Sequence, residues 1–597
     1  MPRARGAAYT FATSEPCSES PMPIPADRPH LKHWPKRLPP DLVLPETSLW
    51  FNLAASAQRY PDRAAYLFFG HPLTYRELHR QAEALAGWLQ AQGVGQGDRV
   101  ALFLQNCPQF IVAFYAVVRA NAVVVPVNPM NRVDEFGHYI TDPDTKVVLT
   151  SADLAAIVAE ADARLPEAQR LRAIVVTRYG DYLGDEAAAD PALAPPPSMD
   201  AWLRAAPALP AGCTPLTEAL AAGLTPTAHT RGPDDMALLP YTSGTTGLPK
   251  GCIHTHRTLT SNIVGGSLWG YASAETVSLG VVPFFHITGM LYGVLSPVWS
   301  GATVVILPRW DRDLAGRLIS HHRVSHWTCI PTMIIDLFAS PNYRNFDLSS
   351  LRYLSGGGAA MPQAVAERLQ AEFGLTFAEG YGLTETAAPS HANPPERAKL
   401  QCLGMPIFGT DARVVDPVTF EELPVGEVGE IVTHGPMVFK GYWKHPGATE
   451  AAFIELPGLP GKRFFRTGDL GRMDDEGYFF ITDRLKRMIN ASGYKVWPSE
   501  VELLMYRHPA VAEACIIGTQ DAYRGETVKA VIVLRLEARG QTTEQDIIDW
   551  AREHMAAYKA PKIVEFVEAL PKSGTGKVMW RLLQDKERER REATGST

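Results

Sequence analysis

The sequence predicts an α/β protein: a large N-terminal body of parallel-rich sheets covered by helices, then a β-rich region and a small α+β unit. Three observations carry this. Strand and helix patterns alternate over residues 46–126 and again from Ala237 to about Ala378, and such alternation builds parallel sheets with helices on their faces. From 404 to 481 the pattern changes to short apolar runs separated by turns, as in EVGEIVTHG and EGYFFITDR. A distinct mixture of strands and helix begins around Asp483–Lys486.

Within the first stretch, TYRELHRQAEALAGWLQAQG places apolar residues at helical spacing and stops at Gly93. GDRVALFLQN then reads as a strand, QFIVAFYAVVRAN as a helix and AVVVPVN as a buried strand. Residues 179–235, rich in Ala, Pro, Asp and Gly, are expected to form an insertion or loop. The run Val281–Leu307 is interrupted by His286, glycines and two prolines, so it reads as buried core and not as the roughly 18 continuous apolar residues of a membrane helix. In the last unit VEFVEAL, AEACIIGTQ and VKAVIVLRL are strands and TTEQDIIDWAREHM is a helix. Residues 1–45 are expected to be a partly disordered leader, with Met22 a second candidate start, and KERERREATGST a solvated helix end with a frayed tail.

Composition narrows the class further. The 597 residues carry 57 Lys+Arg against 64 Asp+Glu, a formal charge of −7, which argues against a nucleic-acid binder. Mean hydropathy is −0.09, as expected of a soluble globular chain. Seven cysteines are dispersed with no C-x-x-C pair, which predicts neither a disulfide framework nor a zinc knuckle and fits a reducing cytoplasm.

The strongest local signal is LLPYTSGTTGLPKG, residues 238–251. Gly244 and Gly247 let backbone N–H groups turn toward one centre, Thr242, Ser243, Thr245 and Thr246 add hydroxyls, and Lys250 adds a positive charge, a combination suited to phosphate. Walker A does not fit, because Pro249 stands where its second glycine belongs and Gly251 follows the lysine. Downstream, in order, come PFFHITGM (283–290), LSGGGAAMP (354–362), EGYGLTET (379–386), FRTGDL (465–470), DRLKRMINASGYKVWPSEVE (483–502) and PKSGTGKVMWR (571–581). Together with YTSGTTGLPKG, these resemble the motifs of the AMP-forming ligase superfamily, which includes acyl-CoA synthetases, luciferases and adenylation domains. LTYRELHRQAEALAGWLQ and AVVVPVNP extend the resemblance over nearly the whole chain.

The resemblance implies a division into an N-terminal adenylate-forming domain (46–482) with a β-barrel-like subdomain, a hinge (483–486) and a small mobile C-terminal cap (487–597). It implies a reaction in two halves: a carboxylate attacks the α-phosphorus of ATP to give an acyl-adenylate and pyrophosphate, then a thiol takes the acyl group and AMP leaves. Such chemistry asks for positioning and charge neutralisation. By this resemblance Lys577 bridges carboxylate and α-phosphate, Glu385 holds Mg²⁺, Thr384 contacts the α-phosphate and Tyr381 stacks on adenine. Gly356, Gly357 and Gly358 pass close to adenine, with Glu379, Gly380 and Gly382 in the same nucleotide-binding set. Asp469 accepts from the ribose hydroxyls, as a carboxylate can, and Arg484 reaches the ribose or phosphate side. Lys486 is the hinge position, the Ser492–Gly493–Tyr494 turn faces the thiol arm of coenzyme A, and His286 gates or positions the acyl carboxylate. Asn490 stands where plant-type ligases and luciferase carry Lys.

Phe284, Phe285, Ile287, Met290, Leu291, Val294 and the 326–338 segment offer apolar walls for an acyl tail, and no Asp or Glu lies within 281–307 to pair with an amino group. The expected function is therefore an ATP-dependent ligase joining a medium- or long-chain fatty acid to coenzyme A. An aryl or arylalkanoate (cinnamate-type) CoA ligase, or an adenylating enzyme loading a carrier protein, is the alternative, and a non-catalytic acyl-nucleotide sensor a third class. ATP, Mg²⁺ and coenzyme A are the implied cofactors. No nucleic-acid partner and no transmembrane segment is expected; peripheral membrane contact and a homodimer stay open.

Overall fold

The computed structural model describes residues 28–185, 190–242, 248–358, 361–484, 487, 489–491, 494–521, 525–572 and 578–594. Two parallel-rich sheets make the N-terminal body. In a seven-stranded sheet, Arg99–Phe103 lies between Val123–Pro126 and Thr145–Ser151; Ala173–Thr177 and Cys213–Pro215 extend one side, Met236–Leu238 and His254–Thr255 the other. Every pairing is parallel except the last. In a nine-stranded sheet, Val277–Gly280 lies between Thr303–Ile306 and His326–Cys329, and the parallel run continues through Tyr353–Gly356 to Phe377–Leu383. Antiparallel pairs occur only at its ends: Ala388–Ala392 and Met405–Pro406 beyond Phe377–Leu383, and His71–Thr74 on Ala64–Phe68.

Helices cover both sheets for local reasons. Helix Tyr75–Ala91 starts where the Thr74 hydroxyl accepts from the Glu77 N–H at 3.2 Å, and it buries one apolar face. Helix Pro108–Arg119 has proline in its first turn, where no N–H is needed, and is buried on all sides. One continuous core joins the two sheets and includes Tyr66, Phe110, Phe114, Phe284 and Trp327.

Beyond them, Asp411–Val415, Gly429–His434, Arg463–Met473, Phe453–Glu455 and Phe479–Arg484 form an antiparallel sheet in which Arg463–Met473 pairs with three neighbours. The edges of this β-rich region, Asp411–Val415 and Phe479–Arg484, do not pair with each other among the described residues. The C-terminal unit sets Gly525–Leu534 against Val511–Asp521 and Ile563–Phe566, with helices Pro498–Met505, Glu544–His554 and Trp580–Thr594. This is the α/β architecture with a small α+β unit that the sequence predicts.

Three stretches differ from expectation. Residues 179–235 are not simply a loop: helices Pro197–Leu203 and Leu216–Ala221 bury Met199, Leu203, Leu216 and Ala219, and Cys213–Pro215 adds an edge strand. Widely spaced apolar residues within Ala/Pro-rich text are enough to anchor them. Residues 28–45 of the expected leader are packed on the body, and 1–27 lie outside the described residues. Trp34 meets Trp269 and Phe408 edge-on at 5.2 and 5.4 Å, while Arg37 donates to the Leu268 and Trp269 carbonyls and stacks on Tyr271.

The C-terminal helix is also more than a solvated end. Glu587 is buried and accepts from Lys529 Nζ at 2.5 Å and from the Thr519 hydroxyl at 2.9 Å, and Lys529 also meets Glu565 at 2.6 Å. Burial alone would raise the Glu587 carboxyl, but these donors hold it below its ordinary range. Removing one partner of a buried pair strands the other charge. Lys529→Met should therefore destabilise the protein by about 3–5 kcal/mol, read from the denaturant midpoint; a shift no larger than that of an exposed-lysine control would refute this account.

Candidate active site

The phosphate-type loop begins at the carboxyl end of strand Met236–Leu238. Its neck is closed: the Thr242 N–H donates to the Lys250 carbonyl at 3.0 Å, the Lys250 N–H reaches the Thr242 hydroxyl at 3.4 Å, and Tyr241 bridges Gly251. Ser243, Gly244, Thr245, Thr246 and Gly247 lie outside the described residues. Lys250 extends over the ring of Tyr442, its ammonium 4.7 Å from the centroid. The Tyr442 hydroxyl in turn donates to Glu385 Oε1 at 2.8 Å. Burial, then the Glu385 charge, keeps this phenol firmly protonated. Lys250 and Glu385, distant in sequence, thus meet through Tyr442, a residue that sequence reasoning missed; only the aromatic text FKGYWK marks it.

Thr384–Glu385–Thr386 form a single 3₁₀ turn after strand Phe377–Leu383, and the chain then passes through Ala387 and Ala388 at φ +51° and +80°. Such dihedrals are strained for alanine and need outside support. Two side chains of the neighbouring segment supply it. His254 Nε2 donates to the Thr384 carbonyl at 2.7 Å, and the Asn262 amide nitrogen lies 3.0, 2.9 and 3.0 Å from the carbonyls of Thr386, Ala387 and Pro389. Burial lowers His254 to about 4, so the imidazole is neutral and adds no charge behind the turn. The Phe439 N–H donates to the Glu385 carbonyl at 2.8 Å. Close approach matters here too: a Cβ on Gly382 would fall 1.6 Å from the Ala388 carbonyl oxygen.

A second group gathers around Asp469. The residue is fully buried, and the Tyr381 hydroxyl donates to its Oδ2 at 2.5 Å. Arg484 lies directly opposite Asp469 across the antiparallel ladder. Gly357 passes so near strand Phe377–Leu383 that a Cβ would sit 2.3 Å from the Gly380 carbonyl oxygen, and Gly358 follows at φ +84°. Glu379 faces the same crossing: its Oε1 accepts from the Gln401 and Met361 N–H groups at 3.0 and 3.4 Å. Burial nevertheless pushes its carboxyl up to about 7.

His286 caps helix Ile287–Met290, its Nδ1 accepting from the Thr288 N–H at 3.4 Å. Behind it a cavity opens between helix His256–Trp269, the π-helix Leu291–Leu295 and the strands Val277–Gly280, His326–Cys329 and Tyr353–Gly356. Of the wall expected from the sequence, Phe284 and, from the 326–338 segment, His326 and Thr328 line this cavity; Met290, Leu291 and Val294 are buried in the core without lining it. The widened π-helical turn, a feature common at functional sites, presents Tyr292 and Gly293 instead. Lys486, Ser492, Gly493 and Lys577 lie outside the described residues, as does the loop tip before Val578, whose base is closed by a bridge between Lys572 and Val578. Tyr494 begins the edge strand Tyr494–Val496, paired to Ile489–Ala491.

The described site residues of the N-terminal body thus gather where strands end: Thr242 after Met236–Leu238, His286 after Val277–Gly280, Gly357 after Tyr353–Gly356 and Glu385 after Phe377–Leu383. This is where open α/β sheets bind ligands. A family model for the AMP-binding enzyme matches residues 53–443, and one for the AMP-binding enzyme C-terminal domain matches 500–577. The chain belongs to the AMP-binding enzyme family. Among relatives of this AMP-binding enzyme, a long-chain-fatty-acid–CoA ligase of Bacillus subtilis (strain 168) is 35% identical over 578 residues, covering 94% of this chain and 99% of the relative. A feruloyl-CoA synthase of an Amycolatopsis species is 35% identical over 529 residues, covering 88% and 96%. ATP-bound MatB from Rhodopseudomonas palustris superposes with a TM-score of 0.78 at 28% identity, over 91% of this chain and 99% of that one.

In this AMP-binding enzyme Glu379 keeps its proton to about pH 7 when folded but would lose it near 4.5 when unfolded. Its contribution to stability is present below 4.5 and is lost as pH rises through 7. Replacing Glu379 by Gln should remove that loss: between about pH 5 and pH 8 the wild-type Tm should fall relative to the variant's. Parallel Tm profiles for the two proteins would show that the buried carboxyl does not titrate there.

Proposed function

We propose that this chain activates a medium- or long-chain fatty acid as acyl-AMP and transfers it to coenzyme A, with release of pyrophosphate and AMP. As a member of the AMP-binding enzyme family it is an acid–thiol ligase that uses ATP and coenzyme A. The observations that support the residue roles are two contact groups, Lys250–Tyr442–Glu385 and Tyr381–Asp469, linked along the chain by the segment from Tyr381 to Glu385 at the end of strand Phe377–Leu383.

Each proposed role comes from the resemblance, and the contacts within the protein support it. Lys250 and the loop it closes meet the outer phosphates of the nucleotide. Asp469, fixed by the Tyr381 hydroxyl, accepts from the ribose diol, and the same bond sets the Tyr381 ring against adenine. The glycine crossing at 357 and 380 leaves backbone, not side chain, beside the base. No group of three or more metal-ligating side chains occurs among the described residues. Glu385 alone, oriented by Tyr442, fits Mg²⁺, a cation that takes one or two carboxylates and completes its shell with phosphate and water. When bound there the ion would neutralise charge on the phosphates. Lys577, arriving on the C-terminal unit, would relieve the repulsion between carboxylate and α-phosphate. Residues 483–486 are the proposed hinge for its movement: Asp483 sits on the last strand of the body, and its Oδ2 accepts from the Ser499 N–H at 2.7 Å, at the start of the first helix of the cap.

The hydroxyl and imidazole groups among the largely apolar lining of the cavity behind His286 (Ser278, Tyr292, Ser296, His326) favour a second reading, an aryl or arylalkanoate acid as substrate. A screen of coenzyme A consumption across short, medium, long and aromatic acids separates the two. Pyrophosphate release without coenzyme A consumption would point to another acyl acceptor.

Lys577→Ala should lower ATP–pyrophosphate exchange by at least about 100-fold with unchanged circular dichroism. Undiminished exchange would remove Lys577 from the mechanism. Glu385→Gln should lower exchange and raise the Mg²⁺ concentration needed for half-maximal rate, whereas an unshifted Mg²⁺ dependence would remove it as the metal ligand.

A further inference from the structure

The floor of the cavity behind His286 is a parallel sheet covered on both faces, a place where side chains are ordinarily aliphatic. Here it carries a polar row. Ser278 pairs with His326 and His326 with Tyr353 across three adjacent strands. Thr328 and Ser355 form a second pair, their hydroxyls 3.1 Å apart. Burial keeps His326 neutral, its Nε2 donating to the Gly270 carbonyl at 2.8 Å.

The opposite wall repeats the pattern. Ser296 is buried and lines the cavity, yet its hydroxyl has no hydrogen-bond partner. In a helix such a hydroxyl ordinarily bonds back to the preceding turn. Ser300 does so, to the Ser296 carbonyl at 3.0 Å. Tyr292 faces the same space, and neither it nor Ser278 makes a side-chain hydrogen bond among the described residues. An unmatched buried hydroxyl costs stability unless something fills its valence. Among the described lining residues there is no Asp, Glu, Lys or Arg, so a charged tail, such as a second carboxylate or an amine, would be desolvated without a counter-ion.

We infer that this pocket selects a carboxylic acid whose tail carries an uncharged hydroxyl, hydrogen-bonded by Ser296 and Tyr292 against the floor at Ser278. The inference rests on the acid–thiol ligase reading and names its substrate class. Tyr292 and Ser296 lie six and ten residues beyond His286 along nearly continuous helix. At about 1.5 Å per residue the hydroxyl would sit roughly 9–15 Å from the carboxylate end. A phenolic hydroxyl reaches the near end of this interval and the terminal hydroxyl of a medium-chain fatty acid the far end.

Matched pairs of acids test it: ω-hydroxydodecanoate against dodecanoate, and para-hydroxyphenylpropanoate against phenylpropanoate. Coenzyme A consumption and acid-dependent ATP–pyrophosphate exchange are measured for each. The wild-type protein should prefer the hydroxylated member of at least one pair by about 10-fold or more in kcat/KM, and the preferred pair tells an aliphatic from an aromatic source. Ser296→Ala and Tyr292→Phe, each removing one hydroxyl with little change of shape, should bring that ratio toward one. Equal rates within both pairs, or a preference that survives both substitutions, would overturn the inference and leave the ligase reading standing. No turnover and no exchange with any acid would overturn both.

Discussion

The grip of His254 and Asn262 on the Thr384–Pro389 turn is the contact on which the site depends. His254 belongs to the last strand of the seven-stranded sheet and Asn262 to the helix that follows it, whereas Thr384 to Pro389 leave the last parallel strand of the nine-stranded sheet. Four hydrogen bonds therefore join the two halves of the N-terminal body where Glu385 must be presented. Without them two consecutive alanines would have little reason to stay at positive φ. The bonds come from a neutral imidazole and a neutral amide, so the turn is held without a cation that would compete for the Glu385 carboxylate.

Around that seam, burial sets protonation more than neighbouring charge does. His254 and His391 are pushed down to about 4 and 3, and Glu379 up to about 7. Glu587 beside Lys529 in the C-terminal unit differs, as does Asp411 beside Arg413 and Lys462: there the donors outweigh desolvation. Buried charge is kept where a partner meets it, as Arg466 meets Glu430 in the β-rich region and Lys529 meets Glu587 to pin the final helix.

Much of the fold was legible because it is written in local pattern. Alternating strands and helices and the turn-rich text after 404 depend on neighbours in sequence, and the motifs carrying Glu385, Tyr381 and Asp469 point to the family. What stayed hidden depends on distant contacts. Tyr442 acquires its role only because residues 57 positions apart in the chain are brought within hydrogen-bond reach. The packing of Trp34 and Arg37 needs Trp269 and Phe408 in place. The edge strand at Cys213–Pro215 gains its meaning from Ala173–Thr177 beside it. Hydrophobicity alone does not identify the cavity lining for a geometric reason: Met290, Leu291 and Val294 meet the core, whereas Tyr292, Gly293 and Ser296 line the cavity.

The π-helical turn at Leu291–Leu295 explains the reversal and carries a consequence of its own. An inserted or deleted residue in a helix swings everything after it by about 100° around the axis, so the wall chemistry of this cavity is encoded in register as much as in residue identity. Relatives with similar side chains but a regular α-helix at this point would turn a different set of atoms toward the acyl tail. Length changes of a single residue here, which alignments treat as minor gaps, are then a route by which one scaffold changes the set of side chains that lines its chamber.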